Sequence, residues 1–203
     1  MGGAHEPYLH PSATVEPGVE LGGGTKIWAY SQVRMGACLG RECIVGAAAF
    51  IDVGVTLGDR CKVQNQALIY APAVLGDGVF VGPAAVLTND VYPRAVNPDG
   101  SVKDADDWEA VGATLKSGCS VGANAVVVAP AVVGEWATVA AGAVVVEDVP
   151  DFALVAGVPA RRVGWVGRAG RPLVQAGTGR FRCPATDETY TETDGVLAPE
   201  VKG

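Results

Sequence analysis

Four polar side chains stand close together in the segment LTNDVYPRA, residues 87–95, and could do chemistry. Asn89 can accept a hydrogen bond from an amine and align its lone pair without adding charge to the site. Asp90 is the rival, because a carboxylate can accept a proton, although it can equally cap the loop or contact a substrate. Tyr92 follows, and Arg94 can bind a diphosphate or a carboxylate or simply face solvent. The cluster suits the orientation of a polar nucleophile.

A repeat of six residues must position this segment. From Leu9 to Leu87 every sixth residue is Leu, Ile or Val, the residue four places later is small, and the same spacing returns from Leu115 to Val145. A period of six fits neither a helix nor a long strand, so each unit is predicted to be a short strand and a turn. Three units would close a triangular coil. The sequence therefore predicts an all-β parallel helix over residues 8–150, with six to seven coils, aliphatic side chains inside and small ones at the corners.

The repeat is interrupted once and then ends. After Leu87 the period is lost until Leu115, which predicts a long inserted loop over residues 88–114. Long excursions within a compact repeat are usually functional, although a tolerated insertion is the alternative. Residues 151–203 lack the period of six and are predicted to form a short C-terminal appendage, a cap and tail with a small hairpin at an Asp-Gly turn.

Composition limits the classes of function. The net charge of −7 argues against nucleic acid as a general partner. The sequence shows no apolar run long enough to cross a membrane and no secretory signal, so we expect a cytoplasmic protein. Five cysteines without a CxxC motif argue against disulfides and against a metal site. Cys43, Cys61 and Cys119 occupy small-residue positions of the repeat and are predicted to be packing residues.

The repeat, together with the strings VQNQALIY, VFVGPAAVL, TNDVYPRA and DDWEAVGATLKSGCSVGANAVVV, resembles the hexapeptide-repeat acyltransferases over about residues 8–165. The resemblance is to the branch of N-acetyltransferases that act on nucleotide-linked amino sugars, in particular UDP-2-acetamido-3-amino-2,3-dideoxy-glucuronate, in polysaccharide biosynthesis. It implies a left-handed coil and a homotrimer with active sites between neighbouring subunits. It also implies acetyl-CoA as co-substrate, no metal, and Asn89 beside the sugar amine.

The positions of the two histidines bear on the chemistry. His5 and His10 precede or open the first coil, and the coil of Asn89 is four coils away, roughly 19 Å at ~4.8 Å per coil. A hydroxyl acceptor needs a base during attack, whereas an amine resembling an α-amino group has a pKa of roughly 7.7–8.0 and is partly neutral near pH 7. N-acetyl transfer is therefore the leading hypothesis. An O-acyltransferase with Asp90 as base and a non-catalytic β-helix scaffold are the alternatives.

Amide side chains and an outward tryptophan add further candidates for contacts. Gln64, Asn65 and Gln66 place three amides in one repeat and are candidates for recognition of the base or sugar, unless they only face solvent. Trp28 directly follows an inward aliphatic residue, so its side chain is predicted to point outward, as aromatic residues at subunit contacts do.

The predicted binding site for coenzyme A lies near the end of the repeat. Residues 151–182 hold six arginines against one aspartate, and a local basic patch favours a polyanionic ligand. Arg161 and Arg162 directly follow the last coil, where the family resemblance places the cofactor. Three small residues of the last coil would line a narrow groove for the pantetheine arm: Ala140, Ala141 and Gly142.

Overall fold

The structure, a computed structural model, describes residues 6–200. Fourteen two-residue strands precede the loop: β1 Tyr8–Leu9, β2 Thr14–Val15, β3 Glu20–Leu21, β4 Lys26–Ile27, β5 Gln32–Val33, β6 Cys38–Leu39, β7 Ile44–Val45, β8 Phe50–Ile51, β9 Thr56–Leu57, β10 Lys62–Val63, β11 Leu68–Ile69, β12 Val74–Leu75, β13 Phe80–Val81 and β14 Val86–Leu87. Six more follow it: β15 Thr114–Leu115, β16 Ser120–Val121, β17 Val126–Val127, β18 Val132–Val133, β19 Thr138–Val139 and β20 Val144–Val145. The C-terminal strands are β21 Ala153–Ala156, β22 Arg161–Trp165, β23 Val174–Gly177, β24 Arg180–Arg182, β25 Thr189–Thr193 and β26 Val196–Pro199.

The twenty short strands form three parallel sheets because every third strand stacks on its predecessor. Sheet 1 contains β1, β4, β7, β10, β13, β16, β19, β21 and β22; sheet 2 contains β2, β5, β8, β11, β14, β17 and β20; sheet 3 contains β3, β6, β9, β12, β15 and β18. The register pairs residues eighteen apart, such as Lys62 with Phe80. The predicted all-β parallel helix of hexapeptide repeats is confirmed, while its left-handed sense stays an expectation from the family resemblance.

The core of the helix consists of the periodic aliphatic residues. They are almost completely buried from Ile27 to Val145, whereas Leu9 is 45% exposed because it belongs to the first coil of the described chain. The small residues of the repeat, predicted to form the corners, are also buried inside. Among them, Thr25 and Ser31 donate hydroxyl hydrogen bonds to the carbonyls of Gly40 and Gly46 at 2.7 and 2.8 Å. The corners are therefore filled from within, which keeps successive coils in register.

The cysteines belong to this interior. All five are free thiols, and Cys43, Cys61 and Cys119 are fully buried at small-residue positions, which confirms their assignment to packing. The thiols of Cys43 and Cys61 each donate to a glycine carbonyl at 3.1 Å. Burial raises the pKa of Cys119 to about 12, so this thiol stays protonated near neutral pH.

Side chains at the corner between sheets 3 and 1 connect consecutive coils. Asp59 accepts a hydrogen bond from the backbone N–H of Arg41 at 2.8 Å, and Asp77 accepts one from the N–H of Asp59 at 2.8 Å. The side chain of Arg41 also hydrogen-bonds to Asp59 and lowers the pKa of that carboxyl group. A short polar side chain that caps the coil below is thus a structural feature of this helix.

The C-terminal segment first continues the helix and then leaves it. Strand β21 pairs with β19 in sheet 1, and β22 returns antiparallel to β21. The tail forms a separate antiparallel sheet in the order β23, β24, β25, β26, with the predicted turn at Asp194 and Gly195. The division at residue 150 stays a prediction, because the cap shares sheet 1. Within residues 6–200, no helix is long and apolar enough for a membrane span.

Candidate functional site

The inserted loop leaves the helix at the corner between sheets 2 and 3, hereafter the 2–3 corner, and its two ends are fixed there. It covers residues 88–113, since Thr114, predicted to lie in the loop, begins β15. The N–H of Val111 donates to the carbonyl of Asn89 at 3.0 Å. Beside this bond, a Cβ atom on Gly112 would lie 2.5 Å from the carbonyl carbon of Pro72. The return of the chain therefore requires glycine at this point.

The interior of the loop is folded on itself. Val96 and Val102 form an antiparallel bridge, inside which the N–H of Asn97 donates to the carbonyl of Ser101 at 2.8 Å. Asp107 then accepts hydrogen bonds from the side chain of Asn97 at 2.9 Å and from the N–H of Asp104 at 3.0 Å. These hydrogen bonds lower the pKa of Asp107 and give the loop a defined shape in place of a hydrophobic core.

The predicted catalytic residues lie together at the base of this loop. Asn89 and Asp90 are half-buried, and the carboxamide of Asn89 makes no hydrogen bond to any residue that the structure describes. Asp90 uses one carboxylate oxygen to accept from the N–H of Tyr92 at 2.8 Å. Tyr92 and Arg94 are exposed, and Arg94 donates only to the carbonyl of its neighbour, at 3.0 Å. The carboxamide and one carboxylate oxygen are thus available to a ligand.

Asp90 lines two depressions at the surface of the loop. The first, of about 330 Å³, is lined by Asp90, Val91, Tyr92, Lys103, Asp107, Trp108, Glu109 and Val111. The second, of about 440 Å³, is lined by Asp90, Arg94, Ala95, Lys103, Asp104, Ala105 and Trp108. Lys103 and Trp108 line both and were missed by sequence reasoning, because no period connects them to Asn89. The only signal was the presence of a tryptophan in an otherwise polar insertion.

The predicted amide cluster lies elsewhere on the chain. Gln64 and Asn65 follow β10 of sheet 1 and precede β11 of sheet 2, so they lie at the 1–2 corner, whereas the loop occupies the 2–3 corner. They lie in the coil just below Asn89, as their spacing predicts, and the structure adds that the corner is a different one. Asn65 accepts a hydrogen bond from the N–H of Ala47 at 2.9 Å, so it also connects two coils. Within one chain these amides do not join the loop.

The residues predicted to bind coenzyme A share that 1–2 corner. Ala140, Ala141 and Gly142 follow β19 and precede β20, two residues of the three are exposed, and a Cβ atom on Gly142 would meet nothing within 4 Å. One coil below, a Cβ on Gly122 would approach the backbone nitrogen of Ala141 to 2.4 Å. The corner is therefore a smooth surface that an extended chain could follow closely.

The two predicted arginines differ in their surroundings. Arg161 is exposed, donates to the carbonyl of its neighbour Ala160 at 2.9 Å and approaches Glu147 at 3.9 Å. Arg162 lies over the ring of Trp165, with the guanidinium carbon 4.1 Å from the ring centroid, and donates to Glu192 of the tail at 3.2 Å. Trp165 donates to the same carboxylate at 3.1 Å. Arg162 therefore helps to hold the tail against the cap, while Arg161 is the freer cation.

No described histidine lies near the loop base. His10 follows β1, hydrogen-bonds to Ser12 at 2.9 Å, and lies four coils, roughly 19 Å at ~4.8 Å per coil, from the coil that carries the loop. His5 lies outside the described residues. Across residues 6–200, no group of three His, Cys, Asp or Glu side chains could hold a metal ion. The groups at the loop base and its two depressions are an amide, several carboxylates, a phenol, an indole and two cations.

Three stacked parallel sheets with an eighteen-residue register define a hexapeptide-repeat β-helix, and the family comparison agrees. The family model described as "Hexapeptide repeat of succinyl-transferase" matches residues 36–71 and 117–147, on either side of the loop. The matched residues, about a third of the chain, carry the hexapeptide repeat that this model describes.

Curated relatives match parts of the chain. The dTDP-3-amino-3,6-dideoxy-alpha-D-galactopyranose 3-N-acetyltransferase of Aneurinibacillus thermoaerophilus is 52% identical over 59 residues, 29% of this chain and 31% of that protein. The serine acetyltransferase of Escherichia coli K12 is 38% identical over 88 residues, 43% of this chain and 31% of that protein. The matched stretches thus span about a third of the length of these relatives.

A solved structure supports the architecture. An N-acyltransferase from Bacillus cereus, AntD, in complex with dTDP and 3-hydroxybutyryl-CoA, superposes with a TM-score of 0.55 over 82% of this chain and 86% of that chain. The sequence identity is 16%, so this likeness shows the shared fold.

Proposed function

We propose that the chain is an acetyl-CoA-dependent N-acetyltransferase that acylates the amino group of a nucleotide-linked amino sugar of the 3-amino UDP-sugar type. The observation that carries the proposal is the half-buried carboxamide of Asn89, which is free of protein hydrogen bonds at the base of a structured loop. The described histidine lies four coils away. Similarity to a dTDP-amino-sugar N-acetyltransferase supports the same class of substrate.

The mechanism follows from the groups at the loop base. The carboxamide oxygen of Asn89 accepts a hydrogen bond from the neutral amine and directs the nitrogen lone pair at the thioester carbonyl. The C–N bond forms as the carbonyl becomes an oxyanion, and backbone N–H groups are suited to stabilise that charge. The C–S bond then breaks. The proton lost from nitrogen passes to the leaving thiolate, giving the amide and free coenzyme A.

An assembly of three copies would complete the site. The acceptor groups lie at the 2–3 corner, whereas Gln64, Asn65 and the smooth surface at Ala140–Gly142 lie at the 1–2 corner, on the opposite edge of sheet 2. The outward residues of sheet 2 are apolar over most of its length: Phe50, Leu68, Val86, Val126 and Val144. We propose a cytoplasmic homotrimer in which the loop base of one copy faces the 1–2 corner of the next. Arg161 would then contribute its charge to the binding of coenzyme A.

A thiol-release assay with matched acceptors tests the proposal. UDP- and dTDP-linked 3-amino sugars are compared with the corresponding 3-hydroxy sugars, all with acetyl-CoA. We expect release with at least one amine and none above background with the hydroxyl acceptors. Release with the hydroxyl acceptors alone would overturn N-acetyl transfer.

The O-acyltransferase alternative has one observation in its favour, because Asp90 lines both depressions and keeps one carboxylate oxygen available. A pH–rate profile separates the two functions. For N-acetyl transfer, the acidic limb of kcat/KM follows the acceptor amine and moves when the acceptor is changed. An acidic limb that stays fixed across acceptors and disappears in Asp90→Asn would identify Asp90 as the base.

A non-catalytic scaffold would show no thiol release and no thermal stabilisation by acetyl-CoA.

A further inference from the structure

The first of the two depressions, here called the loop depression, has two aromatic walls. It is the cavity of about 330 Å³ in which Tyr92 and Trp108 stand with Asp90, Lys103 and Glu109. Its volume is at the lower end of ligand pockets, which suits one sugar ring better than a whole nucleotide sugar. Asp90 places this cavity next to Asn89, the residue that would orient the reacting amine.

The net negative charge of the loop determines which part of the acceptor it can bind. Residues 88–113 hold six acidic side chains against Arg94 and Lys103. Such a field repels a diphosphate and attracts an ammonium group. Of the acids at the depression, Asp107 already accepts two hydrogen bonds from the loop itself. Asp90 keeps one oxygen available, so it can accept hydrogen bonds from ligand N–H and O–H groups.

We propose that the loop depression binds the amino-sugar ring itself, with Trp108 against a face of the ring and Asp90 and Glu109 towards its amino and hydroxyl groups. The diphosphate and the base then lie outside it, on the side of Arg94. An aromatic face favours a nearby cation, and an amino sugar is partly protonated near neutral pH. The inference rests on the proposed function, and it adds Trp108 and Glu109 as substrate-binding residues.

Direct binding of the two halves of the acceptor tests this assignment. Ligand-observed NMR titrations use 3-amino-3-deoxyglucose and, separately, UDP, with wild type, Trp108→Ala and Phe80→Ala. Phe80 is a matched control, because it is 37% exposed against 38% for Trp108 and faces outward on sheet 1, away from the 2–3 corner. We expect Trp108→Ala to weaken binding of the amino sugar about tenfold and to leave binding of UDP within about twofold of wild type. Phe80→Ala should change neither.

A second variant keeps the test independent of the tryptophan. Glu109→Gln should weaken binding of the amino sugar several-fold at low ionic strength and less at high salt, and it should leave binding of UDP unchanged. If Trp108→Ala weakens UDP as much as the sugar, the indole stacks on the base and the assignment is wrong. Unchanged sugar binding in both variants also contradicts it. The titrations need no turnover, so sugar binding without thiol release by wild type would reject the proposed function while leaving the depression assigned.

Discussion

The coils and the loop hold their residues in place by different means. In the coils, an inward residue pairs with one eighteen positions away, or forty positions away across the loop, and the inward side chains are almost completely buried. In the loop, position is set by local hydrogen bonds such as those of Asp107, and most side chains are exposed. The stability of the molecule therefore resides in the repeat, while the groups able to do chemistry are on a segment that contributes little apolar burial.

The largest effect on stability is expected from a cavity in the coils. Ile69→Ala removes a fully buried side chain directly below Leu87 and should lower the free energy of unfolding by about 2–5 kcal/mol. Val102→Ala in the loop removes a side chain that is 80% exposed and should cost no more than about 0.5 kcal/mol. Urea unfolding of both variants checks the difference. Equal costs would mean that the loop supports the fold as much as the coils do.

A smaller effect is expected where the two regions meet. Gly112→Ala places a methyl group against the backbone of Pro72 and should displace the loop base, because the Pro72 carbonyl group would lie only 2.5 Å from the new Cβ atom. A misplacement of about 1 Å in a site can cost roughly 10²-fold in rate. We expect kcat/KM for the amino-sugar acceptor to fall by about that factor, with the cooperative unfolding transition retained.

The control for this variant is Gly164→Ala, since a Cβ atom at Gly164 would meet nothing within 4 Å. Its kcat/KM should equal that of wild type. A full rate in Gly112→Ala would show that the position of the loop base does not govern turnover.

The smallest expected effect is in the tail. Glu192→Gln removes the charge that faces Arg162 but can keep the hydrogen bond from Trp165. Because the pair is partly exposed, we expect a loss of no more than about 1 kcal/mol in thermal unfolding and no change in the KM for acetyl-CoA. A large rise in that KM would show that the arrangement of Arg162 matters for the cofactor.

The sequence predicted the fold in detail because its period fixes which residues face inward. Every strand from β1 to β20 ends on an aliphatic residue of the repeat that starts at Leu9. The prediction of buried cysteines followed from the same period. The small residues were predicted to form the corners, and the structure shows that from Thr25 onward they also pack inside the helix.

The candidate site was only partly predictable. Asn89, Asp90, Tyr92 and Arg94 are near one another in the sequence, and the structure keeps them together. Trp108 reaches the same place through the folding of the loop, which no period describes. Gln64 and Asn65 lie one coil below the loop but at another of the three corners, so their role in recognition of the base or sugar stays a prediction.

The central claim is that orienting an amine suffices and that Asn89 does so. Its most direct test is kcat of Asn89→Ala with the preferred amino-sugar nucleotide at saturating acetyl-CoA. We predict that kcat falls about 10²-fold, while the KM for acetyl-CoA and the thermal unfolding stay the same as in wild type. An unchanged kcat in this variant would contradict the account.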